Sequence, residues 1–206
     1  GSDYSIFSFH PSKSFNSING AAITTKKLSD FKKINKMRRY GINDKTFRLS
    51  NDEINPRSNI YHAGYNLQLD NISSIVGYFN LLEVFKKLKK QNKNEKFYNS
   101  NLNGLKKITL FGKNKHAKSN NFLYMIIVDD SKKFIKYLNN HKIQCTRLHL
   151  RNDIYSCFKK YSSSSKELVG VKKFSSTVVS IPIGWWLTSD DLNHKQPSNL
   201  EAEQAL

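Results

Sequence analysis

Lys13 lies in the short polar segment FHPSKSF, between two stretches of strand-like composition. A lysine amine that is held by rigid backbone and partly removed from water is a good nucleophile toward carbonyl groups, with which it forms a Schiff base. A serine and a histidine stand close by in the sequence, at Ser12 and His10. Most lysines in proteins are nevertheless solvated surface residues. The spacing alone therefore leaves both interpretations of Lys13 open.

The elements around this lysine are predicted from the hydrophobic pattern. Alternation in residues 4–9 and the composition of residues 20–25 indicate two buried strands, one on either side of it. From Leu28 onward, apolar residues at helical spacing predict a helix that stops near Gly41. The following residues, 42–66, are rich in Asn, Asp, Ser, Pro and Gly. They predict a long loop of a kind that is often functional.

A second helix is predicted from about residue 70 to residue 99, because apolar side chains recur along one face. The residues of this apolar stripe are Ile72, Ile75, Val76, Phe79, Leu82, Phe85 and Leu88. After it, strand and helix patterns alternate, which is typical of a small α/β domain. Strands are expected at 122–128, 143–150 and 177–183, helices at 131–142 and 153–161, and a serine-rich loop at 161–167.

The charge of the chain raises an alternative function. The chain has 206 residues and a formal net charge of +18. A large positive charge is typical of a basic nucleic-acid-binding module. Aromatic residues make up 12% of the chain and could stack on bases. Only six of the 34 basic residues are arginines, however, and arginine is the residue that nucleic-acid readers favour. We therefore expect a solvated basic surface and treat nucleic acid as the less favoured partner.

The two cysteines, Cys145 and Cys157, form no CxxC pair, and no histidine stands at ligand spacing from them. We expect free, buried thiols in a reducing compartment and no metal site. The longest apolar run, residues 122–128, is far shorter than the roughly 20 residues that cross a bilayer. The sequence also opens without a basic and apolar leader. The expectation is a soluble cytoplasmic protein without a membrane partner.

Four separated segments resemble one family of enzymes in order and spacing. They are DYSIFSFHPSKSFNSINGAAITT, MRRYGI, GYNLQLDNISSIVGYFNLLEVF and SIPIGWWLTSDDL. In these segments, from Asp3 to about Leu192, the chain resembles the sugar aminotransferases of the DegT/DnrJ/StrS type. The resemblance implies an α/β fold of the aspartate-aminotransferase-like type I, with pyridoxal 5′-phosphate (PLP) as cofactor. It also implies a homodimer with shared active sites.

The same resemblance implies that the chain is N-terminally truncated. Residues 1–69 would be the remainder of the large PLP-binding domain, 70–100 a long connecting helix, 101–192 the small C-terminal α/β domain and 193–206 a polar tail. The part of the large domain that precedes them would carry the loop that binds the cofactor phosphate. It would also carry the aspartate that pairs with the pyridine nitrogen. We expect the chain on its own to be inactive.

The resemblance assigns roles to individual residues near the start of the chain. Lys13 takes the place of the lysine that forms the Schiff base with PLP and later moves a proton. Ser8 matches the serine that hydrogen-bonds the cofactor phosphate, and His10 matches a histidine near the site. Asn66, in the sequence GYN, matches an asparagine that reaches the cofactor phosphate of the neighbouring subunit. These four residues are the candidate catalytic and cofactor-binding set.

A later segment, HLRND, stands where the family often has a loop beside the substrate. Its candidate substrate contacts are His149, Arg151 and Asn152. The chain also departs from the family at two places. The glycine-rich stretch GEGG is replaced by INGA at residues 18–21, and the arginine two positions after the asparagine of GYN is replaced by Gln68. These departures leave open a second interpretation, in which the chain is a catalytically inactive member of the same fold.

The function implied by the resemblance is a PLP-dependent amino-group transfer. The acceptor would be a keto-sugar carried on a nucleotide, and the donor would be glutamate. The product would serve amino-sugar or surface-polysaccharide biosynthesis. The nucleic-acid-binding module and the inactive family member remain the alternatives.

Overall fold

The structure is a computed structural model that describes residues 2–112, 114, 116–147, 149–161 and 168–194. The expected serine-rich loop at 161–167 and the expected polar tail at 193–206 lie almost entirely outside the described residues. The chain divides into two compact units, Gly1–Val84 and Phe85–Leu206. The boundary falls inside the long helix that was expected at 70–99.

The first unit begins with a two-stranded antiparallel hairpin. It consists of β1 (Tyr4–Ser8) and β2 (Ala21–Thr25). The two predicted strands are therefore confirmed, but their predicted burial is wrong. Ile6 is 72% exposed and Ile23 is 48% exposed. The reason is that no second sheet covers either face of the ribbon in the described part of this unit.

α1 (Leu28–Met37) follows the hairpin. The chain leaves this helix through a turn in which the Gly41 N–H donates to the Lys36 carbonyl at 2.9 Å. Gly41 has a φ of +81°, which glycine adopts without strain. The predicted stop near Gly41 is confirmed. So is the predicted loop at 42–66, since this fully described stretch contains no helix or strand.

α2 (Asn71–Leu102) starts at a capped N-terminus. Asp70 Oδ1 accepts a hydrogen bond from the Ser73 N–H (2.8 Å), and Asp70 Oδ2 accepts one from the Ser73 hydroxyl (2.7 Å). These bonds favour the ionised carboxylate and lower the pKa of Asp70. The carboxylate also occupies backbone N–H groups that the first helical turn leaves unpaired.

The apolar stripe predicted for α2 is exposed over the first half of the helix. Ile72 is 71% exposed and Phe79 is 63% exposed, whereas the buried positions in the same turns are Ser73 and Gly77. The pattern therefore predicted the helix correctly, but the face that packs within the first unit is a different one, made of small residues. In the described part of the chain, neither this helix nor any other is long and apolar enough to cross a membrane.

The second unit contains an antiparallel sheet. Its strands are β3 (Ile108–Leu110), β4 (Tyr124–Val128), β5 (Thr146–Arg147) and β6 (Val178–Ile181). In the described residues they lie in the order β3, β4, β6, β5, and each neighbouring pair is antiparallel. The helices are α3 (Ser131–Asn140), α4 (Val169–Thr177) and α5 (Ser189–His194), and two short 3₁₀ helices are Asn152–Ile154 and Ser156–Tyr161.

Most of these elements match the sequence prediction. The strands expected at 122–128 and 177–183 are β4 and β6, and the helix expected at 131–142 is α3. The helix expected at 153–161 is present as 3₁₀ turns, and β5 lies within the strand expected at 143–150, of which residue 148 is outside the described residues. The elements β3, α4 and α5 were not predicted. The mixed α/β character of the second unit is confirmed.

The core of the second unit joins the sheet to α2 and α3. Ile126 in β4 is 1% exposed, Val179 in β6 is 0% exposed, and Phe134 in α3 is 2% exposed. Tyr98 of α2 is 1% exposed in the same cluster. Burial disfavours its phenolate and raises the pKa of Tyr98.

The C-terminal segment SIPIGWWLT is fixed to α2 by polar side chains. The Tyr98 hydroxyl donates to the Pro182 carbonyl at 2.8 Å. Asn94 Nδ2 donates to the Gly184 carbonyl at 3.0 Å, and Asn94 is 2% exposed. Buried backbone carbonyls just beyond the end of a strand need such hydrogen-bond donors. One of the four segments that resemble the family is thus held by buried hydrogen bonds from the helix before it.

The two cysteines differ in environment, although both are free. Cys145 is buried, and burial raises its pKa to about 11. Cys157 is exposed, so the expectation that both thiols are buried is wrong for this residue. The reason is its place in a 3₁₀ helix without buried residues, Ser156–Tyr161. Among the described residues, no group of three or more His, Cys, Asp or Glu side chains could hold a metal ion.

Candidate functional site

Lys13 lies in the loop that joins β1 to β2. The Phe9 N–H donates to the Gly20 carbonyl (2.9 Å), and the Ser17 N–H donates to the Phe9 carbonyl (3.0 Å). These two bonds close the base of the loop. Within it the Lys13 N–H donates to the His10 carbonyl at 2.9 Å, and Lys13 is half-buried. The backbone on both sides of the amine is therefore fixed, as a positioned nucleophile requires.

α2 holds this loop at two points. A Cβ atom at Gly77 would lie 2.8 Å from Ser17 Cβ, so a larger residue at position 77 would push the loop away. One turn further on, Asn80 Nδ2 donates to the Asn16 carbonyl at 3.0 Å. Ser17 is 1% exposed at this contact. The position of the lysine loop thus depends on the first turns of α2.

Ser8 and His10 flank the lysine loop on its N-terminal side. Ser8 Oγ accepts a hydrogen bond from the His10 N–H at 3.3 Å. His10 Nδ1 lies 3.2 Å from the Ser12 N–H and 2.8 Å from Ser12 Oγ. A backbone N–H can only donate, so Nδ1 is the acceptor and the ring proton of neutral His10 sits on Nε2. His10 is thereby held by its own loop, with Nε2 free to act as a donor.

Asn66 is placed by a close approach of two backbone segments. The Tyr65 N–H donates to the Met37 carbonyl (2.7 Å), and the Leu67 N–H donates to the Arg38 carbonyl (2.9 Å). A Cβ atom at Gly64 would lie 2.5 Å from the Met37 carbonyl oxygen, which no real Cβ atom tolerates. Asn66 itself is exposed. The GYN segment is therefore fastened to the end of α1, with its asparagine facing solvent.

The stretch INGA, which departs from the family's glycine-rich sequence, has a positive φ at two of its four positions. Ile18 stands at the first of the four positions and has a φ of +64°. Gly20, the one glycine retained, has a φ of +111°. Leu69 Cδ1 would be 2.5 Å from a Cβ atom at Gly20, so a larger residue there would require the Leu69 side chain to move, whereas the positive φ itself favours glycine. A β-branched residue at positive φ is strained, and this strain sits five residues after Lys13.

We therefore expect Ile18→Gly to stabilise the first unit. Left-handed backbone costs a non-glycine residue roughly 1–2 kcal/mol, and glycine adds roughly 0.5–1 kcal/mol of unfolded-state entropy. The expected net gain is up to about 1 kcal/mol, measured by urea unfolding followed by circular dichroism. Ile23→Gly is the matched control, because Ile23 is equally exposed at 48% but lies in a strand. Ile23→Gly should lower the free energy of unfolding. An equal decrease in both variants would contradict the assignment of strain to Ile18.

The side chains around Lys13 suit a phosphorylated aldehyde. Ser14 Oγ is buried and has no hydrogen-bond partner among the described residues. Such an atom costs free energy unless a bound group satisfies it. The Lys13 amine can bond to an aldehyde carbon, and the hydroxyls of Ser8 and Ser14 can donate to oxygen atoms. The residues that are present therefore fit PLP.

The three expected substrate contacts lie together in the second unit. His149, Arg151 and Asn152 line one hollow of about 440 Å³ together with Phe174. Arg151 holds Asp153 in a two-pronged pair, with Nε to Oδ1 at 3.0 Å and one terminal nitrogen to Oδ2 at 2.5 Å. This guanidinium lowers the pKa of Asp153. The charge of Arg151 is thus already directed at a neighbouring carboxylate.

A lysine on a hairpin loop, braced by a long helix and followed by a small antiparallel sheet unit, is the arrangement of the C-terminal part of an aspartate-aminotransferase-like fold. Solved structures agree. The sugar aminotransferase CalS13 from Micromonospora echinospora matches with a TM-score of 0.85 and 24% identity over 93% of this chain and 50% of its own. PseC from Helicobacter pylori, an aminotransferase involved in pseudoaminic acid biosynthesis, matches with a TM-score of 0.82 and 19% identity over 99% of this chain and 53% of its own. The PLP form of Spr1654 from Streptococcus pneumoniae, a putative sugar aminotransferase, matches with a TM-score of 0.81 and 17% identity over 100% of this chain and 53% of its own.

The sequence comparison narrows this class to one family. The chain belongs to the DegT/DnrJ/EryC1/StrS aminotransferase family, whose sequence profile matches residues 1–194. The resemblance of the four segments is thereby confirmed, as is the fold class. The chain spans about half the length of the solved structures that it matches. A comparison with curated proteins gives no match.

Proposed function

We propose that this chain is part of a PLP-dependent aminotransferase that transfers an amino group to a keto-sugar carried on a nucleotide. Glutamate is the proposed donor, and the pathway is amino-sugar or surface-polysaccharide biosynthesis. The observation that carries the proposal is the half-buried Lys13 on a loop that α2 fixes, in a chain whose family profile covers residues 1–194. A sugar aminotransferase among the structural neighbours supports the substrate class.

In this proposal Lys13 has two tasks. Its Nζ atom holds the cofactor covalently at rest, and after release it moves a proton at the reacting carbon of the substrate. PLP, when bound, supplies a ring that accepts the electrons left behind when that proton is removed. Ser8 would donate to the cofactor phosphate, and His10 would lie beside it. The fixed loop contributes by keeping the amine in reach of the substrate carbon.

Asn66 and the loop of the second unit have separate proposed roles. The exposed Asn66 would donate to the cofactor phosphate of the partner subunit in a homodimer. His149 and Asn152 would contact the sugar substrate, and Arg151 would act there together with its carboxylate partner, Asp153. The free thiols of the chain favour a reducing compartment, so we place the enzyme in the cytoplasm.

The test is selective covalent capture of PLP on Lys13. The protein is incubated with PLP, reduced with borohydride and digested, and the labelled lysines are identified by mass spectrometry. We expect Lys13 to be labelled at the lowest PLP concentrations, because its loop is positioned for the cofactor. Lys26 is the internal control, since it is an exposed lysine just after β2. Equal labelling of the two lysines would contradict the proposal, because it would show only non-specific reaction with accessible amines.

A further inference from the structure

The two tryptophans of the chain form an exposed pair in the second unit. Trp185 is 38% exposed and Trp186 is 63% exposed, and their rings meet edge to face with centroids 6.0 Å apart. We call them the tryptophan pair. Neither residue has a role in the proposed cofactor or substrate site. An indole has a large apolar body and one N–H donor, so it suits a boundary between an apolar phase and water.

The turn that carries the tryptophan pair is held in place. A Cβ atom at Gly184 would collide with the Trp186 ring, so this ring lies directly over the glycine. The carbonyl of the same glycine accepts the hydrogen bond from Asn94 of α2. After the pair, the Thr188 hydroxyl donates to the Asp191 carboxylate at 2.8 Å. The tryptophans are therefore presented to solvent on a turn that is fixed at both ends.

α2 carries a row of lysines beside this turn. The exposed lysines on one face of the helix, which we call the lysine stripe, are Lys86, Lys89, Lys90, Lys93 and Lys96. Each stands three or four residues from another member, so the side chains are neighbours on the helix surface. Lys87 is half-buried and places its Nζ atom 4.9 Å from the centroid of the Trp185 ring. Because Lys90 follows Lys87 by three residues, the stripe borders the tryptophan pair.

Acidic side chains offset only part of this charge. Glu95 is the one acid within residues 86–96, and it follows Lys93 by two residues, or about 200° around the helix. Its carboxylate accepts a hydrogen bond from Asn99 at 3.2 Å, away from the stripe. Glu83 precedes the stripe by one turn, and Asp190 is exposed in α5, so each can offset one charge. The stripe therefore keeps a net positive charge next to the tryptophan pair.

We propose that the tryptophan pair and the lysine stripe bind the surface of a bilayer that contains anionic phospholipids. Tryptophan is enriched at the level of the lipid headgroups. Lysines beside it are attracted by the negative potential of the bilayer surface. The expectation that the protein has no membrane partner rested on the lack of a spanning segment, and binding at the surface requires none. The proposal is independent of the proposed function.

Two observations favour a lipid surface over a nucleic acid. Residues 86–96 contain no arginine, whose planar guanidinium nucleic-acid readers favour. The rings of Trp185 and Trp186 are inclined to each other at 82°. Successive stacked bases lie nearly parallel, so only one of the two rings could continue such a stack. A bilayer surface requires neither arginine nor parallel rings.

The test uses tryptophan fluorescence, because Trp185 and Trp186 are the two tryptophans of the 206 residues. The chain is mixed, without cofactor, with vesicles of phosphatidylcholine alone or with an equal share of phosphatidylglycerol, at about 0.15 M salt. We expect the anionic vesicles to shift the emission to shorter wavelength. Brominated lipids in these vesicles should quench it, because the indoles enter the headgroup region. Neutral vesicles should bind at least roughly tenfold more weakly.

Two triple variants test the role of the lysine stripe, with co-sedimentation with vesicles as the measurement. The stripe variant combines Lys86→Gln, Lys90→Gln and Lys93→Gln. It should weaken binding to anionic vesicles about 10²-fold, from the usual worth of three lysines near such a surface. The control variant, which removes the same charge from exposed positions of α3, combines Lys132→Gln, Lys133→Gln and Lys136→Gln. It should weaken binding by less than about threefold, since these lysines lie outside the stripe.

A single variant tests the tryptophan pair. Trp186→Ala removes the more exposed ring and should weaken binding to anionic vesicles about tenfold, the usual worth of burying a large apolar side chain. Far-UV circular dichroism checks that the variant is folded. If it is not, the stripe variant decides, because its three positions are exposed and their side chains are replaced by polar ones.

Four results would overturn the proposal. Equal weakening in the stripe and control variants would show attraction by net charge alone. Co-sedimentation with unchanged emission would place the contact on another surface, and a folded Trp186→Ala that binds as tightly as the parent would exclude the pair. Oligothymidylate that shifts the emission more than anionic vesicles do, with a steep salt dependence, would identify a nucleic-acid surface instead. None of these measurements uses PLP, so the capture of PLP on Lys13 is a separate question.

Discussion

Replacing Lys13 with alanine in the intact enzyme should lower kcat for amino-group transfer by roughly 10³-fold, within the range that a positioned general acid–base group contributes. The variant keeps the loop, because the bond that places Lys13 is made by its backbone N–H to the His10 carbonyl at 2.9 Å. What it loses is the amine to which the proposed function assigns cofactor attachment and proton transfer. The rate is best measured in a single turnover, which separates the chemical step from product release.

Two further measurements distinguish this role from a structural one. Added methylamine should restore part of the rate of Lys13→Ala, because a free amine can replace the missing proton carrier. Lys26→Ala should keep the full rate, since Lys26 is exposed and outside the loop. A Lys13 variant with more than half of the native rate would remove the residue from the mechanism. If Lys13→Ala is inactive and also loses its native circular dichroism spectrum, Lys13→Arg is measured in its place. Arginine keeps the positive charge but lacks the nucleophilic amine.

The lysine site illustrates what the sequence could predict. The alternation of residues 4–9, the composition of residues 20–25 and the polar break between them predicted two strands and the loop that holds Lys13, because these signals are local. The burial of the strands was predicted wrongly, since burial depends on layers that a local pattern does not contain. The same applies to α2, whose periodicity defined a helix but whose packed face is set by Ser73 and Gly77. Small residues carry little hydrophobic signal, although they decide where two backbones can approach.

The elements that the sequence analysis missed or placed wrongly also lack clear local sequence signals for their starts and ends. α4 begins after Leu168, which makes no side-chain cap, and its first turn has no acidic residue. It also contains Gly170, which is unfavourable inside a helix. Among the described residues, β5 pairs with β6 through Thr146 and Arg147, whereas the apolar pattern predicted a strand over 143–150. Strand length is fixed by the partner strand, and a single segment does not reveal its partner.

The position of Asn66 was the least predictable part of the site. The motif GYN marked the residue, but nothing in the pattern indicated that its backbone pairs with the end of α1. The structure shows that this pairing depends on Gly64, because its neighbours are backbone atoms that cannot move independently. A Cβ atom there would lie 2.3 Å from Gly41 N and 2.7 Å from Tyr40 C. A glycine in this role is recognised only when both segments are seen together.

Gly64→Ala should therefore open the pairing between the GYN segment and α1. The methyl group has no free space, so the hydrogen bonds from Tyr65 to Met37 (2.7 Å) and from Leu67 to Arg38 (2.9 Å) must lengthen or break. We expect a loss of roughly 3 kcal/mol, at the upper end for an overpacked site. Hydrogen exchange of the Tyr65 and Leu67 amides measures this locally, with an expected increase in rate of roughly 10²-fold from that loss.

The matched control for this change lies in the other unit. Gly170→Ala adds the same methyl group inside α4, where none of the described residues lies within 4 Å of the new atom. It should be neutral or stabilising by up to about 1 kcal/mol, since alanine is the better helix former. Both tryptophans, Trp185 and Trp186, belong to the second unit, so their fluorescence reports whether that unit remains folded in Gly64→Ala. Unchanged exchange at Tyr65 and Leu67 would show that the segment tolerates a side chain, and Asn66 would then need another explanation for its position.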